Sequence, residues 1–502
     1  MAKFFKGLVA SGAWSCFDEF NRIDLEVLSV IAQQIMTILQ AVASTVTDFL
    51  FEGTQLRISR SCAIHITTNP GYAGRSELPD NLKALFRPCA MMIPSYRLIA
   101  EISLYSHGFS DTRSCANKLV QCLHLASEQL SAQSFYDFGM RAVKSTILAA
   151  SNFKRALPDG PEDELTLQAI CACNMPKFTA DDIPLFLSIV KDLFPHTRMP
   201  KFSDDSLMQH LHEECTAANL QPEPAFLSKC IQMYETVLVR HGLMLVGQTM
   251  AGKTQIRKCL ALALEKGDPG AKHQRIQPGP VHVATLNPKA VTIPELYGCF
   301  DPISHEWSDG LLAVAYRHAA LHDGPGRQWI VFDGPVDPDW VESLNTVLDD
   351  NRKLCLTSGE IIKMSRQMSI IFEVEDLSVA SPATVSRVGV IFLEPNHVLG
   401  WQPLVSSFLH QLPEELQWAA KPLQALIDAL LPPCLLAVRE LREIVPTSDM
   451  MRVASFTRLL QCLLFADDKP LASPTPEVAA LMPQVTQASN LFDDEDEEEE
   501  EE

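Results

Sequence analysis

The sequence predicts an α/β protein built on a largely parallel sheet, and it predicts that arrangement twice along the chain. Three observations carry this reading. The segment "GQTMAGKT", Gly247 to Thr254, separates an apolar strand-like run, "LMLV", from a helical run, "QIRKCLALALE". Further apolar runs, "VHVATLNP", "WIVFDG" and "SIIFEVED", alternate with helical stretches, the pattern of parallel strands joined by crossover helices. Along the whole chain the order is strand-rich, helix-only, strand-rich, helix-only, which is an internal repeat.

The elements follow in order. "AWSCFDEFNRID" reads as an apolar strand ending in two adjacent carboxylates, Asp18 and Glu19, before a polar turn. Leu25, Leu28, Ile31, Ile35 and Leu39 then recur at three- and four-residue spacings, the mark of an amphipathic helix. "FEGTQLRISRS" is hairpin-like and leads into a second strand, "CAIHITTN", in which His65 is expected to be a core residue. Residues 114–155 are helical in pattern, and "LPDGPEDE" at 157–164 ends them. The expected modules are a sheet part over 1–110 with a helical part over 111–157, and a second sheet part over 158–400 with a helical part over 401–469. Pro470, Pro474 and Pro476 then open a linker with an acidic tail, 470–502.

Composition narrows the function classes. The 502 residues are 47% hydrophobic and 21% charged, close to globular averages. The net charge is −21, but ten of those charges lie in "DDEDEEEEEE", Asp493 to Glu502, leaving −11 for the rest. No concentrated basic face is visible, so nucleic acid is not an expected partner. The tail itself reads as a solvated run. Fourteen cysteines are scattered without CxxC pairs, which indicates neither a zinc ribbon nor a disulfide framework and implies a reducing compartment. Lys6 interrupts the N-terminal apolar run, so no secretory leader is expected, and no uninterrupted apolar stretch reaches the length of a membrane span. His210 and His212 lie two apart in a helical segment and so point in different directions, a poor metal pair.

The strongest chemical signal is G-x-x-x-x-G-K-[ST]. In "GQTMAGKT", Gly247, Gln248, Thr249, Met250, Ala251 and Gly252 form a loop whose backbone N–H groups can wrap phosphates. Lys253 neutralises the β and γ charges and Thr254 can ligate Mg²⁺. Eighty residues on, Asp333 ends the apolar strand "WIVFDG", where a second carboxylate is needed to hold Mg²⁺ through water. The following residue is Gly334, where a hydrolytic site would want a base, so this site is expected to bind ATP and hydrolyse it slowly or not at all. "WSCFDEF" is the same kind of strand end with both carboxylates: Asp18 could hold Mg²⁺ and Glu19 could act as base. Only 17 residues precede Asp18, so the phosphate loop belonging to that pair is expected to lie outside this sequence.

At this point longer stretches carry a resemblance. "KFFKGLVASGAWSCFDEFNRIDLEVLSVIAQQI", "TTNPGYAGRSELPDNLKALFRPCAMMIP", "YDFGMRAVKS", "VRHGLMLVG", "IVFDGPVDPDWVESLNTVLDDNRKLCLTSGEII" and "FEVEDLSVASPATVSRVGVIFLEP" resemble the first and second AAA+ modules of a dynein heavy chain, over nearly all of residues 1–470. The phrasing is more similar to axonemal members. The resemblance implies tandem AAA+ P-loop NTPase modules, each a parallel-sheet α/β subdomain followed by a small helical subdomain.

It also implies roles at matching positions. Asp18 and Glu19 resemble the Mg²⁺-associated acid and the catalytic base of the main ATPase site, and Asn69 the sensor that orients the lytic water. Arg141 in "GMRAVKS" resembles the second sensor. Arg387 in "SPATVSR" resembles the arginine finger offered in trans to the first module's nucleotide, a group that stabilises charge on a transferring phosphoryl. Arg87 in "ALFRP" holds the corresponding position in the first module. The loop residues "TMAG" depart from the small, Gly-rich residues more usual in the family. The implied cofactors are ATP and Mg²⁺. The implied partners are the remaining ring modules, dynein intermediate and light intermediate chains, and microtubules through the full-length motor, in the cytoskeleton of a ciliary axoneme. The alternative is a shortened, non-motor product that serves as an ATP-binding interaction module for dynein subunits or assembly factors. In either case the chain alone is expected to be weakly active or inactive as an ATPase.

Overall fold

The computed structural model describes residues 1–464 apart from 24, 45, 69–77, 199–204, 267–278, 323, 325, 395–399 and 446. Asn69 and the whole of the linker and acidic tail, 470–502, therefore lie outside the described residues. The chain divides into two units, Met1–Pro94 and Ser95–Glu502.

In the first unit, strand β1 (Trp14–Phe17) pairs in parallel with β4 (Ala63–Ile66), while β2 (Asp48–Phe51) and β3 (Thr54–Arg57) form an antiparallel hairpin. Glu52 and Gly53, at φ 47° and 70°, supply the two left-handed residues that a two-residue hairpin turn requires. The amphipathic helix expected from the leucine and isoleucine spacing is present as Leu25–Ala43. Leu28, Ile31, Ile35 and Ile38 are buried with Phe5 and Leu8 of the helix Ala2–Ser11. His65 departs from expectation: it is exposed, its ring beside Trp14, which is itself 75% exposed, because this face of the β1–β4 pair is uncovered within the unit.

The second unit begins with helices. Ser95 caps Tyr96–Ser106 through its side chain, and that helix buries Ala100 and Leu104 against Thr112–Gln129 and Met140–Ala156. The same core continues through Glu162–Asn174 and Asp182–Leu193, with Phe178 and Phe186 at its far side. Packing thus differs from the sequence expectation at two places. The helix Tyr96–Ser106 belongs to the helical core rather than to a sheet part ending at 110. The proline-rich turn at 157–164 lies within one core, because helices on both sides of it share apolar partners.

Beyond this core lies the main sheet. Its five strands are β5 (Gly242–Val246), β6 (Val281–Leu286), β9 (Arg327–Asp333), β12 (Met368–Val374) and β13 (Gly389–Phe392). Short hairpins intervene: β7 (Gly298–Phe300) with β8 (Trp307–Asp309), and β10 (Lys353–Cys355) with β11 (Ile361–Lys363). The order across the sheet is β13-β5-β12-β9-β6, and every pairing is parallel. Each strand feeds both faces, as the period of two demands. Leu243, Leu245, Trp329, Val331 and Ile371 pack under the helices Pro224–Val239 and Lys253–Glu265. Met244, Val246, Ile330, Phe332 and Phe372 fill the opposite face against Leu312 and Tyr316. β5 and β12 are buried throughout, which is why they read as continuous apolar runs rather than alternating ones.

The last helices, Gln402–His410, Ala420–Arg439 and Asp449–Leu464, form a smaller core around Val405, Leu409 and Val453. Among the described residues two helical segments match a membrane span in length and composition, Glu26–Ala43 and Leu416–Arg439, with mean hydropathies of 1.4 and 1.3. The first packs its apolar side into the core of its unit, and the second carries Pro432 and Pro433.

Candidate nucleotide site

The phosphate loop follows β5, which has β13 on one side and β12 on the other, so the strand order switches direction there. In open parallel sheets ligands bind at such a switch, beyond the carboxyl ends of the strands. Gly247 is required sterically, since a Cβ there would stand 2.5 Å from the Leu393 carbonyl oxygen. Gly252 ends the loop at φ 85°, and Met250 holds φ 69°, a left-handed conformation uncommon for a residue with a side chain. The helix Lys253–Glu265 starts immediately afterwards with its N–H groups toward the loop.

Lys253 folds back over the loop, donating from Nζ to the carbonyl oxygens of Gly247 and of Gln248, the latter at 2.8 Å. Burial pulls its ammonium below the ordinary value, while the carboxylates of Glu375, Glu373 and Asp333 pull it back up. Three acids therefore face the lysine from the ends of two adjacent strands. Asp333 is the last residue of β9 and is in register with Glu373 of β12. Glu373 is 3% exposed and accepts two hydrogen bonds, one from the Thr254 hydroxyl and one from Arg257 Nε at 2.5 Å.

Glu373 and Arg257 were not among the residues expected from sequence. The signal available was "FEVED", three carboxylates, Glu373, Glu375 and Asp376, gathered at the end of an otherwise apolar strand. A cavity of about 360 Å³ opens beside the loop, with Lys253 and Thr254 at one end and Leu220, Phe226, Met250 and Leu404 along its walls. Its size and mixed polar and apolar lining suit a nucleotide. Among the described residues no three His, Cys, Asp or Glu side chains form a cation cage. The hydroxyl and carboxylate oxygens of Thr254 and Asp333 nevertheless fit Mg²⁺, a hard cation usually held by few protein ligands together with phosphates.

Arg141 and Arg387 line one cavity in this unit although 246 positions apart in the chain. Arg141 lies in the first turn of Met140–Ala156 and donates from Nη1 to Ser386 Oγ at 2.8 Å. Arg387 follows the short helix Pro382–Val385. It pairs through Nε with Asp349 Oδ1 at 2.7 Å and donates from Nη1 to the Ala383 carbonyl at 2.9 Å. Arg240 Nη1 reaches the Arg387 carbonyl at 2.8 Å. A second cavity, about 400 Å³, is lined by Arg141, Lys144, Arg240, Arg352 and Arg387 with Asp349 and Asp350, a surplus of positive charge suited to an anion.

In the first unit Asp18 and Glu19 follow β1 directly. The Thr67 hydroxyl donates to Asp18 Oδ1 and accepts the Glu19 N–H at 2.9 Å. Glu19 stands at φ 52°, another left-handed residue at a strand end. Continuing the β1–β4 register one step beyond Phe17 and Ile66 sets Asp18 opposite Thr67, as Asp333 is opposite Glu373 in the second unit. Asp18 thus corresponds to Asp333, Glu19 to Gly334, and Thr67 to Glu373. Two positions further on, Asn69 corresponds to Glu375.

A glycine-rich phosphate loop after the first strand, an acid ending the third, and a five-stranded parallel sheet with the loop strand inside it define an AAA+ module of the P-loop NTPase class. Residues 1–254 match the family model described as "Hydrolytic ATP binding site of dynein motor region". Residues 242–388 match "AAA domain (dynein-related subfamily)", and 423–492 match "Dynein heavy chain AAA lid domain". Human dynein axonemal heavy chain 3 is 53% identical over 466 residues, covering 92% of this chain and 11% of that protein. Mouse dynein axonemal heavy chain 12 is 52% identical over 456 residues, 90% of this chain and 15% of that protein. Human dynein axonemal heavy chain 1 is 49% identical over 465 residues, 92% and 11% respectively. The chain belongs to the dynein heavy chain family, corresponds to a portion of the motor ring, and is similar to axonemal members over nine tenths of its length. It spans between a tenth and a seventh of the length of these relatives.

Proposed function

We propose that this chain contributes a nucleotide-binding portion of a dynein motor ring to microtubule-based movement in the ciliary axoneme. The site at Gly247–Thr254 holds ATP with Mg²⁺ and turns it over slowly or not at all. The observation that carries this reading is the pair Asp333–Gly334: the metal-side acid is in place at the end of β9, and the next position, where Glu19 stands in the first unit, has no side chain. Mg²⁺ bound with the nucleotide neutralises phosphate charge, and Thr254 and Asp333 are the residues that would hold it. Lys253 exchanges its loop carbonyls for phosphate oxygens.

Asp18 and Glu19 act as metal-side acid and base of the main hydrolytic site, with Asn69 as its sensor. Arg141 and Arg387 take the roles of second sensor and trans finger. The basic lining of their shared cavity and the hydrogen bond from Arg141 to Ser386 support a joint role. The partners of this reading are the other ring modules, intermediate and light intermediate chains, and microtubules through the full-length motor. The modules of this reading run 1–157 and 158–469 along the chain, with the helices on both sides of that boundary packed in one core. The test is equilibrium ATP binding to the wild-type chain and to Lys253→Ala. Binding is expected to vanish in the variant, and undiminished affinity would remove the assigned pocket.

A further inference from the structure

A hydroxyl that ligates a cation does so through an oxygen lone pair, and its single proton needs an acceptor elsewhere. At the phosphate loop that acceptor is Glu373, one of whose oxygens accepts the Thr254 hydrogen bond while the other is pinned by Arg257 Nε at 2.5 Å. Three elements converge here. Thr254 and Arg257 lie one turn apart on the helix Lys253–Glu265, and Glu373 is held by strand β12, whose neighbours β5 and β9 carry the loop and Asp333.

We propose that Glu373 is a positioning residue for the Mg²⁺–nucleotide complex: by accepting the Thr254 hydrogen bond it leaves that oxygen's lone pairs to the cation, and Arg257 fixes it in that task. The inference rests on the nucleotide reading of the loop. Two observations favour it over a structural role or a role as base. Arg257 and Glu373 are 7% and 3% exposed, and a buried ion pair is commonly no more stabilising than apolar side chains of the same volume, so stability does not account for it. Glu373 is buried and both its carboxylate oxygens already accept hydrogen bonds, so it is not placed to polarise an attacking water in lieu of the base missing at Gly334. The first unit has no carboxylate at this register position. There the corresponding residue is Thr67, whose hydroxyl serves Asp18.

The test is ATP affinity measured by calorimetry in excess Mg²⁺ and in excess EDTA, for the wild-type chain, Lys253→Ala, Glu373→Gln and the double variant Glu373→Leu/Arg257→Met. The double variant removes both charges together, so no unpaired buried arginine remains to unfold the protein, and a melting curve verifies this. The gain in affinity that Mg²⁺ confers is expected to fall about 10- to 100-fold in the double variant and less in Glu373→Gln, as for loss of other outer partners of metal ligands. Affinity in EDTA is expected to stay unchanged. An equal loss in both conditions would make Glu373 a support of loop shape and overturn the proposal, as would no loss in either. A wild-type affinity that depends on Lys253 but not on Mg²⁺ would overturn this proposal alone. A wild-type affinity indifferent to Lys253→Ala would remove the nucleotide reading with it.

Discussion

Arg387 is held by Asp349 through a 2.7 Å contact from Nε to Oδ1, so the guanidinium proposed to act in trans is already paired within its own unit. The arginine is nearly buried and the aspartate is 34% exposed on its side chain. Removing Asp349 therefore strands a desolvated charge. Asp349→Ala is expected to cost about 1–3 kcal/mol of stability. A double-mutant cycle with Arg387→Ala, read by urea unfolding, should return a coupling of about 0.5–3 kcal/mol. Additive effects would show that the pair contributes nothing as a pair.

Met250 sits at φ 69° in the phosphate loop, where family members more often carry smaller residues. A side chain in this conformation costs about 1–2 kcal/mol, and glycine returns part of that gain through its larger unfolded-state entropy. Met250→Gly is expected to raise the unfolding free energy by about 0.5–1 kcal/mol. Met250→Val, branched at Cβ, should lower it. A shift of urea midpoint in the opposite sense for either variant would contradict the backbone argument.

The wild-type chain is expected to turn ATP over at less than about 1 s⁻¹, below the usual enzyme range. The nearest atoms to a Cβ on Gly334 would be Asn287 Oδ1 at 3.1 Å and Pro288 Cδ at 3.5 Å, contacts that a small shift relieves. Gly334→Glu should then raise steady-state turnover by up to about 100-fold if the missing base limits the rate. The assay includes a sedimentation check for self-assembly, because AAA+ sites are completed by neighbours. Unchanged turnover would shift the cause to another element of the site.

Lys177 is buried, donating to the Asp137 carbonyl at 2.7 Å and to Asn174 Oδ1 at 2.8 Å. Burial pulls its pKa from 10.5 down to about 8. Between those values the unfolded chain keeps the proton and the folded chain does not, so this residue makes stability rise with pH. The buried thiols act in the opposite sense. Burial pushes Cys122 and Cys171 up to about 12, so the folded chain keeps protons that the unfolded chain loses. The measurement is thus a difference: across pH 8 to 10.5 the stability of Lys177→Met should lose the rising component relative to wild type. Parallel curves would mean that Lys177 titrates normally.

Much of the site was legible because its chemistry is local. The loop Gly247–Thr254, the strand ending at Asp333 and the carboxylates Asp18 and Glu19 are each contiguous patterns whose backbone geometry follows from a few neighbours. β13 and the short hairpins β7–β8 and β10–β11 were not picked out, because three- and four-residue strands carry too little periodicity to stand out. His65 was misjudged for a related reason: alternation along one strand cannot say which face is covered.

By itself the sequence determined the α/β class, the phosphate loop and the family, since each rests on residue types at fixed spacing. Only the tertiary structure decided that Glu373, 119 residues from Thr254, accepts its hydrogen bond, and that Arg141, 245 residues from Ser386, reaches its hydroxyl. Those contacts depend on strand register and on which helices share a core. Register is set by the summed burial of many apolar side chains rather than by any short motif, so no local pattern announces which distant polar groups will meet at the ends of the strands.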